Sequence, residues 1–154
     1  MKQKPSRRLQ TVLQLAHSKE RQAAEKLADS IRELALQQQQ EQQLTSYKQD
    51  YSEQFKHVAA EAKNKAVGAG RLANYLRFYD SLEAVGNTQH EQVELASQQQ
   101  QRARALWQQQ YARQKNIEKL VNRKCRQENS EAEKKLQREQ DDRHPVAPRY
   151  IKPS

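Results

Sequence analysis

The chain has almost no residues that stop a helix. Its four prolines, Pro5, Pro145, Pro148 and Pro153, all lie near the two ends. Proline removes a backbone donor and clashes with the preceding turn, so a long interior without it permits long helices. There are three glycines, Gly68, Gly70 and Gly86. The single cysteine, Cys125, excludes an intramolecular disulfide and fits a reducing compartment. No apolar run approaches the roughly 20 residues of a membrane-spanning helix. The basic start, MKQKPSRRLQTVLQLAHSKE, is not followed by the unbroken apolar stretch of a secretion signal. A cytosolic protein without direct membrane insertion is expected.

Apolar material is also scarce. Hydrophobic residues make up 34% of the 154 and charged residues 31%, against about 45–50% apolar in globular chains. That cannot fill a thick core, but it can line a seam between helices. The abundant residues, Gln, Ala, Glu, Lys, Leu and Arg, are good helix formers.

The periodicity agrees. Steps of alternating four and three residues from Leu9 land on Leu13, Ala16, Glu20, Ala23, Leu27, Ser30, Leu34, Gln37, Glu41, Leu44, Lys48, Tyr51, Phe55, Val58 and Ala62. Ile31 and Tyr47 are expected to widen this stripe. A second seam runs Leu72, Tyr75, Tyr79, Leu82, Gly86, Gln89, Val93, Ala96, Gln100, Ala103, Trp107, Gln110, Gln114, Ile117 and Val121, then turns polar at Lys124, Glu128, Glu131 and Lys135. Heptad seams of this kind mark a coiled coil. Between them lies NKAVGAGRL, where glycine ends a helix at low cost.

The fold expected is all-α, a long antiparallel two-helix coiled-coil hairpin. It comprises an N-terminal arm over 1–8, the coiled coil over 9–142 and a flexible tail over 143–154. Helix 1 is placed at about 7–62, the turn at about 63–70 and helix 2 at about 71–142, with Ser6 as N-cap. Folding back at the glycines would set the two glutamine runs, Gln37 to Gln40 and Gln98 to Gln101, side by side.

Signs of catalysis are lacking. There is no phosphate-cradling glycine loop, zinc motif or nucleophile elbow. His17, His57, His90 and His144 are scattered, and Cys125 has no histidine–carboxylate company. No catalytic residue, metal ligand or cofactor is assigned, and the chain is expected not to be an enzyme. The net charge of +9 suits an anionic partner, but acidic residues are interspersed throughout and solvated helix faces account for it. The distinctive feature is aromatic: Tyr47, Tyr51, Phe55, Tyr75, Phe78 and Tyr79 gather on either side of the break.

LTSYKQDYSEQF, then NYLRFYDSLEAV, then ALWQQQYARQKNIEKLVNRK resemble the bacterial flagellar export protein family FliJ. The shared features are Tyr47 and Tyr51 before the turn, Asn74, Tyr75, Phe78 and Leu82 after it, and Trp107 further on. The resemblance implies a component of the flagellar type III export apparatus, peripheral at the cytoplasmic face of the inner membrane. It would promote assembly of the export ATPase hexamer, link it to the membrane export gate protein and handle export chaperones. The family's gate-binding face corresponds to Gln40, Leu44, Tyr47, Tyr51, Phe78, Leu82, Val85 and Gln89. Basic residues at the open end, Arg7, Arg8, Arg123, Lys124 and Arg126, would meet acidic groups of the ATPase ring. The alternatives are the stalk protein of a virulence type III secretion system and a basic coiled coil binding nucleic acid without sequence preference. A metal- or thiol-dependent enzyme ranks last.

Overall fold

The computed structural model describes residues 3–62, 68–143 and 153. It contains two helices, α1 (Pro5–Ala62) and α2 (Gly68–Arg143), of 58 and 76 residues, and no strand among the described residues. The helices pack against each other as an all-α hairpin. The expected turn, apart from its last three residues, and all of the expected flexible tail but Arg143 and Pro153 lie outside the described residues.

The chain divides into two compact units, one made of Met1–Glu20 with Gln110–Ser154, the other of Arg21–Gln109. Each contains a length of both helices running antiparallel. In the first, Ser6 meets Glu128 and His17 meets Gln114. In the second, Gln37 meets Gln89 and Tyr51 meets Tyr75.

Heptad geometry explains the burial. Every seam residue from Leu9 to Val58 in α1, and from Leu72 to Glu128 in α2, is buried or half-buried. Two helices enclose a line and no more, so among the described residues no large side chain is fully buried. The most enclosed apolar positions are Ala16, Ala23, Tyr75, Ala96 and Val121, and Ser6 and Gln114 are buried with them. A half-buried leucine in such a seam contributes about 1 kcal/mol, less than the 1.5–3 of a fully enclosed one.

Three expectations need correction. Ile31 and Tyr47 do not widen the seam; they are 50% and 51% exposed, because each lies one position off the contact line. The glutamine runs do not face each other. Gly68 and Gly70 are the first and third residues of α2, so the reversal precedes them. Gln37 therefore meets Gln89, about twelve residues short of the register that would align the runs. The interface also outlasts the apolar seam, since Lys124 and Glu128 remain half-buried and residues 129–143 are exposed.

The third correction explains why the interface persists that far. Helix α1 begins at Pro5, where proline's missing N–H costs nothing. The carbonyl of Lys4 accepts the first bonds, from Arg7 and Arg8 at 3.0 and 3.3 Å. Ser6 is thus inside the helix and is not its cap. Its backbone N–H donates to Glu128 Oε1 at 3.1 Å and its hydroxyl to Oε2 at 2.5 Å. A carboxylate from α2 therefore satisfies an orphan donor in the first turn of α1, at the positive end of that helix dipole.

The two Ser6 bonds hold the Glu128 carboxyl below the usual carboxylate range. A carboxylate with a depressed folded pKa stabilises the fold above its unfolded pKa, and the contribution is lost as pH falls through the folded value. The wild type should therefore lose thermal stability more steeply than Glu128→Gln between about pH 5 and pH 3, while remaining the more stable at neutral pH. Equal slopes would refute the clasp.

Gly86 occupies a half-buried seam position in mid-helix, and a Cβ added there meets nothing within 4 Å. Gly86→Ala should raise the unfolding free energy by about 1 kcal/mol through backbone entropy alone, read in a urea titration.

Candidate functional site

Writing the α1 heptad with Leu9 at d and the α2 heptad with Leu72 at a, both seams occupy the a and d positions. In an antiparallel pair the g positions of the two helices share one flank, with c beside them. The e and b positions share the other. The eight residues carried over from the family resemblance sort cleanly: Gln40, Tyr47, Phe78 and Val85 at g, and Leu44, Tyr51, Leu82 and Gln89 at d. They fall on one flank of the second unit. The four d residues are half-buried, while Tyr47, Phe78 and Val85 are 51%, 42% and 51% exposed, and Gln40 is exposed too.

The aromatic rings organise this flank. Tyr51 stacks on Tyr75 across the seam with centroids 4.0 Å apart and planes 11° from parallel. Phe55 backs the same Tyr75 ring at 4.7 Å. From that centre the rings step outward: Phe78 tilts against Tyr51 at 4.8 Å, and Tyr47 lies 6.5 Å from Tyr51. Offset and tilted contacts of this kind each add about 0.5–1.5 kcal/mol beyond area burial. The buried rings thus form a base on which the exposed rings of Tyr47 and Phe78 are held in place. Burial pushes the Tyr75 phenol up from its ordinary pKa.

Tyr79 departs to the opposite flank, where the Lys48 ammonium sits 5.2 Å from its ring centroid. There Ser52, Phe55, Tyr75, Leu76 and Tyr79 line a shallow cavity of about 240 Å³. Next to it Gly86 opens a notch of about 180 Å³, lined among others by Glu41, Leu44, Lys48 and His90. His90 faces Glu41 across the helices at 3.4 Å and Glu94 on its own helix at 3.3 Å.

Two carried-over residues are engaged with the opposite helix, Gln89 of α2 and Gln40 of α1. Gln89 Nε2 donates to the Gln37 carbonyl at 2.9 Å and to Gln37 Oε1 at 2.8 Å, and reaches Gln40 Oε1 at 3.5 Å. Its amide therefore staples the helices, which leaves the rings and Val85 as the outward-facing part.

The basic residues lie in the first unit but do not share one face. Arg123 and Arg126, with Lys119 and Asn122, line an open groove. Lys124 sits half-buried on the seam, and Arg7 and Arg8 project from the first turns of α1. Cys125 is a half-buried free thiol. Among the described residues, no group of three or more His, Cys, Asp or Glu is placed to hold a metal ion. No helix there is long and apolar enough to cross a membrane.

Sequence reasoning missed the Ser6–Glu128 clasp and the Gln89 staple. The signal was present, for Glu128 and Gln89 are both seam positions, and a polar residue in a seam asks for a partner on the other helix. It also missed Leu36, Leu95 and Leu106, exposed on the same flank as Tyr47.

A paired-helix scaffold that displays side chains on its flanks defines a binding protein more readily than a catalyst. A family model described as "Flagellar FliJ protein" matches residues 5–145, nearly the whole chain. The chain belongs to this family, and membership implies a role related to flagellar export. No curated protein and no solved structure matches it.

Within the cluster, the buried and displayed rings should separate in a stability assay. Tyr47→Ala should leave the unfolding free energy within about 0.5 kcal/mol of wild type. Tyr51→Ala should cost about 2 kcal/mol or more through lost stacking and packing. Chemical denaturation of both variants checks the difference, and similar losses would contradict the arrangement.

Proposed function

We propose that the chain is an adaptor of the flagellar export apparatus with two working surfaces. The first unit engages the export ATPase and promotes assembly of its hexameric ring, using Arg7, Arg8, Arg123, Lys124 and Arg126. The second unit docks on the membrane export gate protein through Gln40, Leu44, Tyr47, Tyr51, Phe78, Leu82, Val85 and Gln89. Export chaperones are further partners, and the site of action is the cytoplasmic face of the inner membrane.

The observation that carries this reading is the stepped aromatic flank. Rings that are positioned by a buried stack yet remain 42–51% exposed are preorganised anchors: they gain apolar contact on docking and lose little side-chain freedom. A solitary helical hairpin has no use for rings so placed. The basic groups support the other contact, since Arg123 and Arg126 are exposed and free to approach carboxylates.

The test uses the flagellar export ATPase and the cytosolic part of the gate protein from the same organism. Phe78→Ala should weaken gate binding at least about tenfold while leaving ATPase stimulation unchanged. Arg123→Glu combined with Arg126→Glu should do the reverse. If wild type stimulates ATP hydrolysis and the double reversal does so equally, the basic contact is wrong. Absence of stimulation and gate binding by wild type would overturn the adaptor reading as a whole.

A further inference from the structure

The flank that carries Tyr47 extends well beyond the residues just described. In the unit formed by Arg21–Gln109, eight large apolar residues are more than 40% exposed. Six of them, Leu36, Tyr47, Phe78, Val85, Leu95 and Leu106, lie at c or g. Only Ile31 and Leu76 lie on the other flank. A solvated helix scatters its stray apolar residues; this one collects them.

Charge is withheld from the same surface. Along α2 from Asn74 to Gln99, no c or g position holds a charged residue, whereas e and b over that stretch hold Asp80, Glu83 and Glu94. Along α1 from Leu36 to Tyr47 the c and g positions are likewise uncharged, with Gln40 and Gln43 between the apolar ends. Glutamine is the polar residue that such a surface tolerates. Its amide both donates and accepts, and it can be desolvated without the penalty of a buried charge. The high glutamine content thus has a local use.

Charges return only at the ends of the strip, with opposite sign on the two helices. On α1 they are Asp29, Glu33 and Asp50, with Lys26 a turn further out; on α2 they are Arg71 and Arg102. Such a surface complements itself. A two-fold axis parallel to the helices lays α1 of one copy over α2 of the other, with like ends together. Asp29 then approaches Arg102 and Asp50 approaches Arg71, and every neighbouring pair of helices is antiparallel. A perpendicular axis would lay α1 on α1 and bring Glu33 towards Asp50, acid against acid. The flank from Phe78 to Leu106, with the charges at its ends included, is about 42 Å long and about 20 Å wide, enough for the roughly 800 Å² per partner of a specific interface.

We infer that this flank binds a second copy of the chain, forming a four-helix bundle in which α1 of each copy lies over α2 of the other. The inference needs only the chain itself and does not rest on the export reading. Tyr47, Phe78 and Val85 belong to both surfaces, so self-association and gate docking exclude each other.

Sedimentation equilibrium of the full chain tests this. The mass should rise from 18.1 kDa towards twice that value as concentration approaches roughly 100 µM. Val85→Glu, at an exposed position, should keep the helical circular dichroism and weaken dimerisation at least about tenfold. Asp29→Arg and Arg102→Asp should each weaken it, and the two together should restore it. A single 18.1 kDa species at every concentration would overturn the inference and leave the flank to a different protein. A dimer indifferent to Val85→Glu would overturn it by placing the contact elsewhere. Failure of the paired reversal to restore what the single changes lose would overturn the α1-over-α2 arrangement.

Discussion

Everything in this protein follows from building with two helices and no third layer. A pair of helices shares one line of contact, and whatever is not on that line meets water. The seams accordingly carry the fold with small contributions spread over many turns. Alanines at Ala16, Ala23 and Ala96 are enclosed because short side chains let the backbones approach. Specific order then has to come from groups that recognise one another. The Tyr51–Tyr75 stack, the Gln89 staple and the Ser6–Glu128 clasp each join a residue of α1 to one of α2. Each fixes which turn lies beside which.

The same constraint produces function. In a thick domain an aromatic ring one position off the seam would find another element to cover it. Here Tyr47 and Phe78 each rest against the Tyr51 ring and stay 51% and 42% exposed, so they are displayed and held at once. The adaptor role proposed for this member of the flagellar FliJ family would use a surface of that kind, and two packed helices create it at every off-seam apolar residue. Choosing where such residues occur is then the whole of the design, and the charge-free flank between Asn74 and Gln99 is where that choice is most visible.

The line of contact was legible in the sequence because a heptad is a strict geometric filter. Stepping by four and three from Leu9 and from Leu72 lands on a buried or half-buried residue at every step from Leu9 to Val58 and from Leu72 to Val121. The register was not legible. A heptad repeat looks the same after a shift of seven residues, so glycine spacing was asked to decide. Gly68 and Gly70 turned out to open α2 and not to mark the reversal. The membership of the aromatic cluster could be read directly. Its division into a buried base and a displayed edge depends on one heptad position, too fine a distinction for Tyr47 when the seam is treated as a broad stripe. Polar seam residues such as Gln89 and Glu128 carry no apolar signal, although they make the contacts that a shifted alignment cannot satisfy.

The Ser6–Glu128 clasp has a consequence for how the chain is made. The two residues are separated by 122 positions, whereas the stacked tyrosines near the reversal are 24 apart. Loop-closure entropy rises with the separation to be bridged, so on the ribosome the tyrosines can meet while the partner of Ser6 is still unmade. The order of synthesis therefore allows the stack to form before the clasp can. A polypeptide that ends before residue 128 lacks the carboxylate that joins the first turn of α1 to α2.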